Sequence, residues 1–277
     1  MTAPCVVLVP LDGSRTAAAV LPVARELARA LDASLHVLHV VPDRAEVPPD
    51  VGGKLGLDRT QMGGVVLDTR VGEPADCILR TAEGWRDVLI VLSTHTGMRG
   101  GPGALGPVAA RVVRETGRPV VLVPPTRRAG PWELRTMLVP HDGAPGTTSA
   151  LAPAFDLAER ASCRLWALHI ACPGAAPGRE PGALATPRYV DQQHHEWPAW
   201  ATEFVDRLTS GQPGQPKDLR LSLAHGEPAS AIARFAVEHG ADLVVLCFHG
   251  VMEPGRAAVL QGVLRDANGP VMVLRSG

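Results

Sequence analysis

Two aspartates sit in near-identical settings. Asp12 follows Val7-Leu8-Val9-Pro10-Leu11 and precedes Gly13; Asp142 follows Met137-Leu138-Val139-Pro140-His141 and precedes Gly143. Two histidines, His95 and His249, each close a later apolar run, and the first opens a glycine-rich stretch to Gly106. A carboxylate accepts hydrogen bonds from hydroxyl or amino groups of a ligand. A glycine-rich segment running into a helix offers backbone N–H groups to an anion. Together they describe a site for a polar, anionic small molecule. The bland readings stand beside it: Asp12 and Asp142 also suit a helix cap or an ordered turn. The histidines also suit loop-ordering hydrogen bonds, because no nucleophile or second carboxylate is placed to complete a reaction. His36 and His39 alternate with apolar residues and read as packing or hydrogen-bonded strand residues. His194-His195-Glu196 does not present one metal-binding face, since adjacent helical residues point about 100° apart, and no metal is expected.

The elements that must position these groups are written twice. Residues 72–97 (GEPADCILRTAEGWRDVLIVLSTHTG) match residues 226–250 (GEPASAIARFAVEHGADLVVLCFHG), and the starts of the halves match as above. With 277 residues, the repeat divides the chain into domains at 1–125 and 132–277 around a proline-rich linker, 126–131, each domain large enough to bury a core. In each half, unbroken apolar runs alternate with helical periodicity, the signature of parallel strands covered on both faces. Strands are expected at Cys5–Pro10, Ser34–Val41, Val65–Val71, Val88–Leu92 and Pro119–Val123, then Leu134–Pro140, Arg164–Ile170, Leu219–Ala224, Leu243–Phe248 and Val271–Leu274. A short helix is expected around Lys54–Gln61 and a longer one over Asp191–Leu208. Pro22 fits only a first helix that starts late or bends. The fold class is α/β: two doubly wound five-stranded parallel sheets of order 3-2-1-4-5. The crevice between strands one and four, at their C-terminal ends, collects Asp12 and the loop Ser93–Leu105.

Composition bounds the partners. The formal net charge is −1, with no basic excess to neutralise nucleic acid or an anionic membrane. The five cysteines show no CxxC spacing and read as reduced thiols, with Cys5, Cys77 and Cys247 as core packing. The N-terminus lacks a signal pattern, so a cytoplasmic protein is expected.

VPLDGS and VPHDG, LHVV and LHI, the repeated GEPA, the THT and FHG loops and the strands PVVLVP and PVMVL resemble the universal stress protein family in its tandem form. The resemblance implies a regulatory or stress-response protein that binds ATP or another adenine nucleotide and acts through a regulatory protein partner. It also implies pairing of the two fifth strands into an intramolecular pseudo-dimer, with a homodimer of chains as a further option. ATP-binding members are similar in a loop Gly-x2-Gly-x9-Gly-Ser/Thr. With His95 in register, the loop length is kept, but Ser93 and Thr96 replace glycines; Gly106 is kept and Pro107 replaces the Ser/Thr. Gly97, Gly100, Gly101 and Gly103 could compensate, and Arg99 could supply a charge. Pro10, Leu11 and Asp12 stand where the family holds adenosine, Val40 where backbone meets adenine, and Val108 just inside the helix. The second half has a loop shorter by three residues and Ala257-Ala258 at the helix start, so the resemblance implies a nucleotide in the first half only. Alternatives are a family module that binds no nucleotide and, ranked last, a slow ATPase.

Overall fold

The computed structural model describes residues 5–14, 19–57, 63–94, 105–124, 130–171, 183–184, 197–214, 216–248 and 257–275. The first half runs β1 (Val6–Pro10), α1 (Val20–Leu31), β2 (Ser34–Val41), α2 (Val51–Lys54), β3 (Val65–Val71), α3 (Pro74–Glu83), β4 (Val88–Ser93), α4 (Pro107–Glu115) and β5 (Val120–Val123). The second runs β6 (Thr136–Pro140), α5 (Pro145–Ala150), α6 (Ala152–Arg160), β7 (Arg164–Ala171) and α7 (Trp197–Thr209), then β8 (Leu219–His225), α8 (Pro228–Glu238), β9 (Leu243–Phe248), α9 (Ala258–Asp266) and β10 (Val271–Arg275).

The strands form one ten-stranded sheet in the order β3-β2-β1-β4-β5-β10-β9-β6-β7-β8. Each half is parallel and of order 3-2-1-4-5. The halves fuse where β5 and β10 pair antiparallel, Val271 opposite Leu122 and Val273 opposite Val120. That pairing removes two apolar edges that would otherwise invite association.

Local sequence accounts for the element ends. α1 begins at Val20, so Pro22 is its third residue, where the missing N–H would have had no intrahelical partner anyway. The repeated Gly-Glu-Pro-Ala is a helix-starting device. Glu73 Oε2 accepts from Asp76 N–H at 2.9 Å. Glu227 accepts from Ala229 and Ser230 N–H at 3.0 and 2.8 Å. In both copies the proline occupies the first helical position, which needs no N–H.

Two apolar layers cover the sheet, and each runs through both halves. One holds Val7, Val9 and α1 residues together with Met137, Val139 and α6 residues. The other holds Leu8, Ile78 and Val112 together with Leu138, Ile232 and Val263. Fully buried Leu27, Leu38, Phe155 and Leu165 each contribute about 1.5–3 kcal/mol from burial. Polar ties cross the same junction: Arg160 donates to the Leu31 carbonyl and Arg275 to that of Arg114.

One expectation shifts, one is described only in part and one holds in part. The short helix of the first excursion is Val51–Lys54 rather than Lys54–Gln61, started by Asp50 capping Gly53 N–H; residues 58–62 lie outside the described set. The helix expected from Asp191 is described from Trp197, and residues 191–196, His194 and His195 included, lie outside the described set. Among the described cysteines Cys163 is buried; Cys5 and Cys247, partly covered, pack against the core as expected, while Cys77 is partly covered and outside it.

Candidate functional site

β1 feeds α1 on one face of the sheet and β4 feeds α4 on the other, so their C-terminal ends part and leave a crevice. A cavity of about 180 Å³ opens there. Pro10, Leu11 and Asp12 form one side. Leu38, Val40, Ile78 and Leu92 form an apolar floor. Ser93, Thr94, Gly106, Pro107, Val108 and Ala109 form the other side, with Pro74 at the rim. Of the residues singled out from sequence, Pro10, Leu11, Asp12, Val40, Ser93, Gly106, Pro107 and Val108 therefore come together. His95, Thr96, Gly97, Arg99 and Gly100 lie outside the described residues. A larger hollow of about 600 Å³ includes Cys5, Asp87, Arg118 and Arg160. It lies at the opposite, N-terminal ends of β1 and β4. The guanidinium groups of Arg118 and Arg160 are already engaged, by the Trp85 and Arg86 carbonyls and by Asp156.

Each wall has a local cause. Asp12 is exposed, and its Oδ1 accepts the Ser14 N–H at 2.9 Å, which orders the turn. Gly13 turns the chain at φ +82°, and a Cβ there would lie 2.8 Å from the Lys54 carbonyl oxygen; only glycine fits beneath α2. His39 is buried on β2, with Nδ1 2.9 Å from the Leu11 carbonyl. A carbonyl only accepts, so Nδ1 carries the proton, and this bond pins the strand end that presents Asp12.

The opposite wall is the start of α4. Gly106 N–H donates to the Thr94 carbonyl at 2.7 Å, closing the neck of the intervening loop. Pro107 has no N–H. The helix start has no side-chain cap, so its remaining outward N–H groups are those of Val108 and Ala109, both lining the cavity. Two donors at the positive end of a helix favour a small negative charge. The described lining contains no Lys or Arg.

The second crevice is built from the same strand ends and carries different residues. The strand pairings put Leu243 where Leu89 stands, so Cys247 replaces Ser93 and Phe248 replaces Thr94. Phe248 and Ala257 are buried in the same apolar layer that floors the first cavity. The turn is ordered in the same way, Asp142 Oδ1 accepting Ala144 N–H at 3.0 Å. Gly143, at φ +84°, lies so close beneath Leu184 that a Cβ would come 2.9 Å from its carbonyl oxygen.

Sequence reasoning missed a polar cluster here. His141 replaces Leu11 and is buried. Its Nδ1 accepts Gly143 N–H at 2.8 Å, so Nε2 carries the proton and donates to Thr148 Oγ1 at 3.0 Å. His169 Nδ1 in turn donates to the His141 carbonyl at 2.9 Å. Phe204 of α7 packs against both rings and Trp200 against that of His169. Burial drives the His141 imidazole down to about 4 and also lowers His169. The only sequence signal was the His141/Leu11 mismatch in the repeat.

Comparison with known proteins decides the family. The model of the universal stress protein family matches residues 6–63 and 133–275. The chain belongs to that family. No curated protein matches it significantly. Among solved structures, a universal stress protein from Archaeoglobus fulgidus superposes with a TM-score of 0.61 at 17% identity, covering 98% of this chain and 96% of that one. A functionally unknown protein from Pseudomonas aeruginosa gives 0.64 at 18%, covering 99% and 93%. The cytoplasmic domain of a prokaryotic cation chloride cotransporter gives 0.53 at 12%, covering 98% and 95%. Such identities establish the fold alone, and the cotransporter illustrates that this fold does not name a function. In this universal stress protein no described helix is long and apolar enough to cross a membrane. Among the described residues no His, Cys, Asp and Glu cluster is placed to hold a metal.

Proposed function

We propose that this universal stress protein is a regulatory, stress-response protein whose first repeat, residues 1–125, binds an adenine nucleotide, while the second, 132–277, serves as its paired scaffold. Binding would alter the surface around the crevice, and a protein partner would read it. The observation that carries the reading is the cavity between the ends of β1 and β4, with an apolar floor, a carboxylate on one side and two backbone donors on the other. The apolar floor suits a purine ring, Asp12 suits ribose hydroxyls or the base amino group, and the Val108 and Ala109 N–H groups suit a phosphate oxygen. The volume is below the 300–1,000 Å³ usual for drug-sized ligands, which fits a base and sugar better than a whole triphosphate.

Calorimetric titration with adenosine, AMP, cyclic AMP and ATP tests this, alongside mass spectrometry of the denatured protein for carried-over nucleotide. Asp12→Ala is expected to abolish the binding heat; an unchanged signal moves the site elsewhere.

A second reading, an interaction module without nucleotide, is favoured by one specific feature. Pro107 and the Gly106–Thr94 bond remove two donors that a phosphate site of this kind would use. Absence of heat with every ligand above would select it. Turnover lost on Asp12→Ala would instead revive a slow ATPase.

A further inference from the structure

Among the differences between the repeats, one helix position behind the crevice changes how two helices pack. Counting from the helix starts at Gly106 and Ala257, Arg111 of α4 corresponds to Gly262 of α9. In the second half α9 lies so near α8 that a Cβ on Gly262 would fall 2.4 Å from the Ala229 Cβ, a separation no side chain tolerates. In the first half the corresponding partner is Ala75, fully buried at the start of α3. Arg111 has a Cβ, so α4 cannot approach α3 that closely. Its guanidinium instead spans the gap. It donates to Glu73, the cap of α3, at 2.8 Å, to Asp76 in the first turn of α3 at 2.5 Å, and to Glu115 one turn along its own helix.

The starts of both helices line the cavity: Pro74 at the rim and Ile78 in the floor from α3, Pro107 to Ala109 in the wall from α4. We infer that Arg111 is a positioning residue, a strut that sets the spacing of the α3 and α4 walls and keeps the first crevice open, whereas Gly262 lets the corresponding helices of the second half close together. Arg111 itself is not among the lining residues, so it acts through the helices and not by touching the ligand. A surface ion pair contributes little stability by itself. Here three carboxylates converge on one side chain, and their effect is on geometry, which binding reads more sharply than folding does.

The inference rests on the reading of the first crevice as an adenine nucleotide site, and the test separates the two. Adenosine and AMP are titrated against wild type, Arg111→Gly, Arg111→Lys and Asp76→Asn, with thermal unfolding of each in parallel. A strut predicts that Arg111→Gly weakens adenosine and AMP by the same factor, roughly tenfold. Arg111→Lys, which keeps the Cβ and one charge, recovers much of the loss. Asp76→Asn, which leaves the helix intact, gives a smaller loss in the same direction. A loss for AMP but not adenosine would mean that Arg111 contacts the phosphate and would overturn the strut. Unchanged affinities in Arg111→Gly would overturn it while leaving the nucleotide site standing. No binding by wild type would remove both.

Discussion

Lowering the pH should unload a measurable share of stability through His141. The folded imidazole has a pKa of about 4, because burial disfavours its charged form. The Gly143 N–H aimed at Nδ1 would also meet a second N–H head to head if that nitrogen were protonated. In the unfolded chain the same group titrates near 6.5. A lowered folded pKa means that the unfolded state takes up the proton first. The contribution is therefore complete above pH 6.5 and is lost progressively as pH falls towards 4. At about 1.4 kcal/mol per unit, the full span is worth roughly 3 kcal/mol, of which roughly 2.5 kcal/mol is gone by pH 4.5. The assay is urea denaturation of wild type and His141→Leu, the residue of the first repeat, from pH 7.5 to 4.5. At pH 7.5 the variant is expected to be less stable by about 1–3 kcal/mol, since Gly143 N–H loses its acceptor in a buried place. As pH falls the two curves should converge by roughly 2.5 kcal/mol, because leucine has nothing to protonate. His169 is retained in both proteins and its bond goes to the residue 141 carbonyl; its charge acts on the imidazole in wild type alone and lowers His141 in the same direction as burial. Parallel curves would refute the assignment of His141 as a neutral, acceptor-bearing ring.

Two further outcomes are expected. Gly262→Ala should destabilise the protein by about 1–2 kcal/mol in thermal or chemical unfolding, because overpacking against Ala229 costs about 1–3 kcal/mol and exceeds the gain of at most about 1 kcal/mol in helix propensity; a stabilised variant would show that α8 and α9 are free to separate. Burial raises the Cys163 thiol to about 11 and that of Cys247 to about 12, so both should resist iodoacetamide at pH 8 in the native protein and react once it is unfolded; rapid native labelling of either would contradict their placement.

Much of the architecture was legible because it is written in short windows. Apolar runs, turn glycines and the duplicated block marked ten strands; the order 3-2-1-4-5 followed on taking the first strand as central with a reversal before the fourth, and the structure has that order. The topology then brought Asp12 to Gly106 across more than ninety residues, since parallel strands on either side of the reversal must open their C-terminal ends to the same crevice. Gly-Glu-Pro-Ala marked a helix start with a proline that needs no N–H; that its glutamate caps the helix came from the structure.

Other features depend on which faces meet. Nothing near Arg111 in the chain indicates that its guanidinium reaches Glu73 and Asp76, or that the glycine in its place at 262 abuts Ala229. Phe248 reads as one more apolar strand residue until packing puts it where Thr94 borders a cavity. His141 reads as a mismatch until Gly143, Thr148 and α7 surround it. Sequence alone determined the repeated α/β plan and the pair of loops to compare, because periodicity and turn chemistry act between neighbours. Only the tertiary structure decided that Thr94 borders a cavity while Phe248 is buried, and that Arg111 bridges α3 and α4 where Gly262 abuts Ala229, because those outcomes turn on ångström-scale contacts between elements that the chain brings together from afar.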